Sequence, residues 1–335
     1  MSPYTIRRLV PAVVLACALS VAAQAQTASE TEFDMTRWQN WLMGVRIEAA
    51  EKGVPQATLN EALRGITPIA RVIELDRRQP EFTLTFQEYL DRVVPQSRVE
   101  RGRDRLAENR ALLDQVSAQY QVPAAAIVAL WGIETDFGRT TGTFNVVNSL
   151  ATLAFDGRRS SYFRGELMNA LRILGEGHIA PKDMMGSWAG AMGQTQFMPS
   201  SFVNFAVDQD KDGKRNIWTD RADALGSAAN YLSKSGWKMG EPVNELVRLP
   251  DSLDRALADG KTIKPLSEWR ALGVLKGKGG DLQGPANRQA MLLLPEGPNG
   301  RAYLGYDNHR VILKWNRSTF FALAAGMLAE QIAAS

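Results

Sequence analysis

The chain has 335 residues, 45% of them hydrophobic and 22% charged, which is typical of a folded globular protein and excludes a disordered or fibrous one. Its 39 basic and 36 acidic residues give a net charge of only +3, which lacks the strong basic excess of a protein that binds nucleic acid. One cysteine and two histidines exclude a disulfide and leave too few ligands for an ordinary zinc site.

The first 25 residues have the three zones of a secretory signal peptide. Arg7 and Arg8 supply the positive segment, residues 9–22 are apolar apart from one serine, and residues 23–25 read A-Q-A, a typical cleavage site. We expect cleavage before Gln26 and export to the periplasm. The processed chain then keeps 37 basic and 36 acidic residues, and it contains no cysteine.

Two alternatives remain for this N-terminal segment. The first is a membrane anchor, although the apolar run is short for a membrane span. The second is a lipoprotein anchored at Cys17, because residues 14–17 read V-L-A-C and loosely resemble a lipobox. Soluble export is the preferred interpretation, since the run stays apolar beyond Cys17 and ends in a better cleavage site.

Residues 26–120 predict a series of short helices separated by prolines at 55, 68, 80 and 95. In the first helix, Trp38, Trp41, Leu42 and Val45 recur at helical spacing. Residues 99–113 predict one charged amphipathic helix whose charged face we expect to be solvated.

Residues 121–245 are richer in glycine, aromatic and small residues than the segment before them. In residues 246–335, the apolar runs 248–250, 290–294 and 310–314 predict short strands, and 317–334 predicts a closing helix. These patterns together predict a mostly α-helical, α+β architecture. We treat 26–335 as one domain in three parts, 26–120, 121–245 and 246–335, because no Pro- or Ser-rich linker divides it.

A carboxylate lies at an unusual position in the predicted helix 123–137, which Gly138 is expected to end. Glu134 follows Ile127 by seven residues and therefore falls on the apolar stripe of that helix. Burial disfavours the charged form of a carboxyl and raises its pKa. A carboxyl that stays protonated near neutral pH is what general acid catalysis requires.

A structural explanation of Glu134 is equally open at this point, namely an ion pair with Arg139 or Arg164. Asp136 lies two positions further on and faces the opposite side of the helix, so it is not the partner of Glu134. We expect Asp136 to be a solvated residue at the helix end.

Three sequence strings in this region are long enough to identify a family. They are WGIETDFG at 131–138, NSLATL at 148–153 and SWAGAMGQTQFMPSS at 187–201, and residues 220–237 continue the match. The chain resembles the lytic murein transglycosylase B family over nearly all of 32–333. The resemblance implies a lysozyme-like core in 121–245, so that 26–335 would be a catalytic domain.

The resemblance also implies an activity. Members of this family cleave the β-1,4 bond between N-acetylmuramic acid and N-acetylglucosamine without consuming water, and they leave a 1,6-anhydro-muramyl end. Glu134 would be the single catalytic acid and then the base, because the C6 hydroxyl of the muramyl ring replaces an external nucleophile. A hydrolytic muramidase and a non-catalytic peptidoglycan-binding protein remain as alternatives.

The family also uses a set of residues to bind the substrate. The match places groove residues at Tyr89, Ser187, Gln196, Tyr231 and Asn316, and residues facing the carboxylates of the stem peptide at Arg158, Arg159 and Tyr162. The alternative for the 186–201 segment is tight packing of its small residues, and the alternative for the two arginines is an exposed basic turn. This chain has Trp315 and Phe321 where the family often has tyrosines beside the Asn316 position.

Residues 208–216 resemble the first part of an EF-hand calcium loop, where the family carries a calcium site. Carboxylates occupy the first, third and fifth positions, followed by Gly213, but the usual glutamate at the twelfth position is Thr219. We expect a weak, structural calcium site and no catalytic cofactor, with an acidic surface turn as the alternative. The predicted ligands are Asp208, Asp210, Asp212, Lys214, Asn216 and Asp220.

The expected partners follow from the resemblance as well. Glycan strands of peptidoglycan are the expected substrate, proteins of cell-wall synthesis or of the divisome are the expected protein partners, and the expected state is a monomer. No nucleic acid is expected, in line with the nearly neutral charge.

Overall fold

The computed structural model describes residues 34–78 and 84–334. The predicted signal peptide, its cleavage site and Cys17 lie outside the described residues, as does Pro80. The first part of the described chain is helical up to residue 135. Its helices are α1 Met35–Glu51, α2 Gln56–Ala62, α3 Ala70–Arg77, α4 Phe86–Val93, α5 Gln96–Glu108, α6 Arg110–Tyr120 and α7 Ala124–Thr135.

The middle part combines helices with one short antiparallel ribbon, in which Phe144 pairs with Gly186. Its elements are β1 Phe144–Asn145, α8 Val146–Asp156, α9 Ser160–Gly175, β2 Met185–Gly186, α10 Pro199–Phe205 and α11 Arg221–Lys234.

The last part contains a five-stranded antiparallel sheet followed by two helices. Its elements are β3 Asn244–Arg248, β4 Ile263–Pro265, α12 Leu266–Ala271, β5 Leu275–Lys276, β6 Gln289–Leu293, β7 Ala302–Gly305, α13 Asp307–Trp315 and α14 Thr319–Ala333. The strand order is β4-β6-β7-β3-β5. The described chain is therefore mostly helical with a few short strands, which confirms the predicted fold class.

The central strands β6 and β7 are buried on both faces, and side chains that alternate along them enter two different clusters. In β6 and β7, Leu292 and Leu304 are paired and face a cluster that includes Trp269. Leu293 and Tyr303 are also paired, and they face a second cluster that includes Leu323 of α14. The closing helix α14, predicted over 317–334, therefore covers one face of the sheet.

The helix predicted over 99–113 is in fact two helices, α5 and α6, which meet at Asn109. The Asn109 side chain donates to the Arg105 carbonyl oxygen at 2.7 Å and accepts from Arg221 of α11 at 3.0 Å. A short amide side chain that bonds the local backbone competes with the helical pattern. The break is therefore fixed by a contact with α11, which the sequence pattern does not reveal.

The charged face of α5 is not simply solvated, contrary to the sequence expectation. Arg98 and Arg101 both form ion pairs with Asp136, which lies just after α7. Asp136 itself is not a solvated residue, since Arg139 contacts its second carboxylate oxygen at 3.1 Å. Arg98 and Arg101 thus hold the end of α7 against α5, and Arg139 adds a local contact.

The strand predicted at 310–314 is also wrong, because this segment lies in helix α13. Asn308, Val311 and Ile312 are buried at helical spacing, and Trp315 continues the same face. A five-residue apolar run cannot distinguish a strand from a buried turn of helix, and tertiary packing decides between them. The other two strand predictions are confirmed within a few residues by β3 and β6.

Within the described residues, no single helix is both long and apolar enough to span a membrane. Helices α6 and α7 reach the required length and hydropathy only as a pair, and that pair is bent by 110°.

Candidate active site

Helix α7 is buried on nearly every side, from Ala125 to Gly132, so its apolar surface is broader than the predicted stripe. It ends at Thr135, earlier than predicted, because Asp136, Phe137 and Gly138 all have positive φ angles. The chain then folds back, and the Phe137 ring packs edge-on against Trp131 at 5.6 Å. Gly132 allows this turn, since a Cβ there would lie 2.7 Å from the Phe137 ring.

Gln194 fixes the last turn of α7. Its side-chain oxygen accepts a hydrogen bond from the Trp131 indole at 3.1 Å, and its main-chain oxygen accepts one from the Thr135 hydroxyl at 2.7 Å. Gln194 is itself buried. Its amide therefore serves internal packing, and it holds the residue between Trp131 and Thr135 that carries the candidate acid.

Glu134 lies in this last turn and is only partly exposed. Its Oε1 atom accepts a hydrogen bond from the Trp315 indole N–H at 2.8 Å. Burial raises the pKa of Glu134 to about 7, and the Trp315 hydrogen bond opposes that rise. A carboxyl with this pKa is partly protonated at neutral pH.

The structural alternative for Glu134, an ion pair with an arginine, is wrong. Arg139 contacts Asp136 instead, and the Arg164 guanidinium contacts Glu48 at 2.7 Å. The partner of Glu134 is a neutral donor, Trp315, which leaves the carboxyl free to keep its proton.

Trp315 was not predicted as a partner of Glu134. Its ring packs against Tyr231 at 4.8 Å and Phe197 at 5.3 Å between centroids. The Tyr231 hydroxyl donates to the Lys314 carbonyl oxygen at 2.7 Å and so holds the end of α13. The only sequence signal was that a tryptophan stands where the family often has a tyrosine, and both side chains can donate a hydrogen bond.

Tyr89 lies within α4, and Asn316 directly follows α13. Burial and the charge of Glu134 raise the pKa of Tyr89 to about 12, and the Tyr89 ring contacts Phe320 at 5.7 Å. Asn316 follows Trp315 directly and accepts a hydrogen bond from the Ser318 main chain at 3.0 Å. The structure thus brings Tyr89, Tyr231 and Trp315 together around the acid.

Ser187 and Gln196 lie in a tight turn segment between β2 and α10. The Ser187 hydroxyl accepts from the Ala191 main chain at 3.0 Å, and the Gln196 amide donates to Thr141 and Gly193 carbonyl oxygens, both at 3.0 Å. A Cβ on Gly193 would lie 2.7 Å from the Ile217 carbonyl oxygen. The glycine and amide groups of this segment therefore serve internal packing in this structure.

Arg158 and Arg159 do not form a simple exposed turn. Both guanidinium groups contact the carboxylate of Asp76, each at 2.6 Å, and Asp76 is buried. Tyr162, in the first turn of α9, is 49% exposed and packs edge-on against Phe163 at 5.1 Å. The carboxylate partner of the two arginines is a residue that the sequence patterns did not indicate.

The acidic loop brings three of the predicted metal ligands together with a fourth that was missed. Oxygen atoms of Asp208, Asp210, Asp212 and Asp223 all lie within 4.8 Å of one another. A cluster of carboxylate oxygens suits a hard cation such as Ca²⁺. Asp223 was missed because it lies beyond the twelve-residue EF-hand spacing, inside α11.

The other predicted ligands have different contacts. Asp220 caps the N-terminus of α11 by accepting from the Asp223 main chain, and the Asn216 side-chain oxygen accepts from the main chain of Trp218 and Thr219. The Lys214 main-chain N–H donates to Asp212 at 2.8 Å.

The Asp223 carboxylate is held in place by the loop itself. It accepts hydrogen bonds from the Gln209 and Asn216 main chains at 2.7 and 2.6 Å. Burial, together with the nearby charges of Asp220 and Asp210, raises the pKa of Asp223 to about 6. A bound cation would relieve this repulsion between carboxylates.

Comparison with known proteins identifies the family of this chain. A family model described as the transglycosylase SLT domain matches residues 37–330, which is most of the chain. The chain belongs to this transglycosylase family. The predicted resemblance to lytic murein transglycosylases is therefore confirmed.

Several relatives of this chain are known. Membrane-bound lytic murein transglycosylase B of Escherichia coli K12 is 36% identical over 216 residues, which span 64% of this chain and 58% of that protein. The aligned part thus spans less than two thirds of that relative.

Solved structures confirm the lysozyme-like transglycosylase fold. SltB3 of Pseudomonas aeruginosa, in complex with NAG-anhNAM-pentapeptide, is 45% identical with a TM-score of 0.86, and the match covers 88% of this chain and 79% of that chain. Slt35 of Escherichia coli in complex with calcium is 31% identical with a TM-score of 0.74, covering 88% and 92% of the two chains.

Proposed function

We propose that this protein is a peptidoglycan lytic transglycosylase that cleaves the β-1,4 bond between N-acetylmuramic acid and N-acetylglucosamine. The observation that carries the proposal is the state of Glu134, a carboxyl with a pKa of about 7 whose hydrogen-bond donor among the described residues is the neutral Trp315 indole. Such a carboxyl can donate a proton at neutral pH and accept one afterwards.

In the proposed reaction, Glu134 first gives its proton to the glycosidic oxygen as the bond to C1 of the muramyl ring breaks. The C6 hydroxyl of the same ring then attacks C1, and the Glu134 carboxylate removes the hydroxyl proton. The product is a 1,6-anhydro-muramyl end, and no water is consumed. Proximity within one ring replaces the second carboxylate that hydrolytic glycosidases use.

The behaviour of the nearest acid in sequence supports a single-carboxylate mechanism. Asp136 contacts Arg98, Arg101 and Arg139, so its charge is engaged at the end of α7. A hydrolytic muramidase would need a second carboxylate placed to act as a nucleophile or to activate water.

The decisive experiment is mass spectrometry of the muropeptides that the purified protein releases from sacculi. Anhydro-muramyl ends, which lack one water relative to reducing ends, are the expected product. Reducing ends would identify a muramidase instead, and binding to sacculi without release would identify a non-catalytic protein. The Glu134→Gln variant separates enzymatic release from a contaminating activity.

Substrate contacts are proposed for the residues that surround Glu134. Tyr89, Ser187, Gln196, Tyr231 and Asn316 would line the sugar groove, and Trp315 and Phe321 would replace the tyrosines that are common in the family. Arg158, Arg159 and Tyr162 would meet the stem peptide, since guanidinium groups pair well with carboxylates. SltB3 binds NAG-NAM-pentapeptide, a ligand that contains both sugars and the peptide.

A structural calcium ion is proposed for the acidic loop. Asp208, Asp210, Asp212 and Asp223 would supply the carboxylate oxygens, and the main-chain oxygen of Lys214 suits the seventh position of an EF-hand loop. The ion would fix the loop against α11 through Asp223 and would supply no catalytic chemistry.

An envelope location fits the family, and we propose that the protein is exported to the periplasm and cleaved before Gln26. The mass of the mature N-terminus tests this. A diacylglycerol adduct on Cys17 would instead establish lipid anchoring. We also propose that proteins of cell-wall synthesis or of the divisome are its protein partners. The protein is proposed to be a monomer, which light scattering of the purified protein tests.

A further inference from the structure

One buried carboxylate from the N-terminal helices organises the two arginines of the 157–159 turn. Asp76, near the end of α3, is only 1% exposed. Its Oδ2 atom accepts from Arg158 Nε and its Oδ1 atom accepts from Arg159 Nη2, both at 2.6 Å. Its main-chain oxygen also accepts from Arg158 Nη2 at 2.7 Å.

The contacts of Asp76 with the two arginines offset the cost of burying its charge. A buried carboxylate is costly unless charged donors satisfy it, and two guanidinium groups repel each other unless an anion lies between them. The hydrogen bond from Arg158, with that from Arg159, holds the pKa of Asp76 below its usual range. Asp76 therefore stays charged and fixes the spacing of the two guanidinium groups.

The rest of the turn is fixed around this carboxylate. Arg159 adopts a left-handed backbone conformation with a φ of 57°, and its guanidinium lies 5.0 Å from the centroid of the Phe163 ring. About half of each arginine side chain remains exposed, 50% for Arg158 and 47% for Arg159. One face of each cation is thus fixed by the protein, while the accessible half can meet a ligand.

We infer that Asp76 is a positioning residue, which holds Arg158 and Arg159 at a fixed spacing so that together they bind a carboxylate of the stem peptide. The inference rests on the proposed function, and it assigns selectivity for peptide-bearing strands to a residue that does not itself contact them. Without Asp76, both side chains would lose this shared charged anchor, and binding would have to order two less restrained chains at a greater entropic cost.

The test compares two substrates, glycan strands that carry stem peptides and strands from which an amidase has removed them. For the wild-type protein, the kcat/KM ratio of the first substrate to the second should be well above one. In Asp76→Asn, this ratio should fall about tenfold, the value expected for one lost charge-assisted interaction. The loss should appear in KM for peptide-bearing strands, because Glu134 is untouched.

Two further variants distinguish the effect of the position of the Asp76 carboxylate from the effect of its charge and from a general effect on folding. Asp76→Glu keeps the charge but shifts the carboxylate by one methylene, so the ratio should fall to an intermediate value. Asp156→Asn removes the neighbouring ion pair of Asp156 with Arg77, whose atoms are 2.9 Å apart and which joins the same two segments at a different place. Its ratio should equal that of the wild type.

The possible outcomes distinguish the proposed recognition of the stem peptide from the proposed role of Asp76. A wild-type ratio near one would remove the proposed recognition of the peptide by Arg158 and Arg159, and this inference with it. A high wild-type ratio that Asp76→Asn and Asp76→Glu both keep would overturn the role of Asp76 alone. If Asp76→Asn does not fold, Asp76→Glu decides, since it keeps a negative charge between the two arginines and only displaces it by one methylene.

Discussion

Burial raises the pKa of one carboxyl at the end of helix α7 and of another beside the acidic loop, but the groups that surround the two carboxyls differ. Glu134 lies beside aromatic residues and accepts a hydrogen bond from the neutral Trp315 indole, and the pKa of its carboxyl is about 7. Asp223 lies among other carboxylates and accepts two main-chain hydrogen bonds, and the pKa of its carboxyl is about 6.

The difference shows how surroundings give the same chemical group two uses. An isolated carboxyl in an apolar site can hold or release a proton, because no cation is nearby to keep it charged. A carboxyl among other carboxylates gains most from a cation that neutralises all of them. The two sites should therefore respond to different changes, one to pH and the other to calcium.

The largest expected effect tests the proton-transfer half of this comparison. Glu134→Gln should fold normally and should lower the release of soluble muropeptides by at least about 10²–10⁴-fold, since the amide cannot transfer a proton. The matched control, Glu61→Gln, changes an exposed acid on α2 and should release muropeptides like the wild type. Near-wild-type release by a folded Glu134→Gln protein would contradict the assignment.

The second effect tests whether the carboxylates of the acidic loop bind calcium. If calcium binds only the folded protein, a hundredfold excess over its Kd should stabilise it by about 2.7 kcal/mol, which raises Tm by several degrees. Asp210→Ala should abolish this response, whereas Asp251→Ala, which removes an exposed acid after β3, should keep it.

Turnover of Asp210→Ala well below Tm should stay close to that of the wild type, because the ion is proposed to act only on stability. A Tm that changes with neither chelator nor added calcium would mean that the loop is only an acidic turn. Lost turnover in a folded variant would instead connect the loop to catalysis.

The third effect concerns stability against pH at Glu134. The folded-state pKa of about 7 lies above the ordinary value of 4.5, so the folded state binds the proton more tightly than the unfolded state. This contribution is complete below about pH 4.5 and is lost as pH rises through 7. Glu134→Gln should therefore match the wild-type Tm at pH 4 and exceed it by a few degrees at pH 8.

Thermal unfolding at a series of pH values measures this difference. An equal Tm difference at pH 4 and pH 8 would show that the carboxyl does not titrate as inferred. The Glu61→Gln variant again serves as the control, because its exposed carboxyl is well solvated.

The smallest effect examines the donor that moderates Glu134. Trp315→Phe removes a hydrogen bond to the charged carboxylate, so the pKa of Glu134 should rise further. The general acid then stays protonated to higher pH, and the alkaline limb of kcat/KM should move upward by about one pH unit.

Trp237→Phe is the matched control, because the Trp237 indole nitrogen is buried without a hydrogen-bond partner among the described residues. Its pH profile should coincide with that of the wild type. A profile of Trp315→Phe that is lower at every pH but not displaced would show that Trp315 acts by packing alone.

Sequence patterns determined the broad outline of this protein because they depend on local spacing. The mostly helical fold class, the strands near 248 and 290 and the closing helix were all predicted from periodicity. The position of Glu134 in a buried helix and the cluster formed by Asp208, Asp210 and Asp212 also followed from spacing. These features need only neighbours along the chain.

Tertiary structure decided the partners, since they come from distant parts of the sequence. Trp315 lies 181 residues from Glu134, and Asp76 lies 82 residues from Arg158. Residues 310–314 form a helix because packing buries one face of that helix, although their apolar run is equally compatible with a strand. The sequence therefore determined which residue carries the proton, and only the tertiary structure decided which neighbours set its pKa.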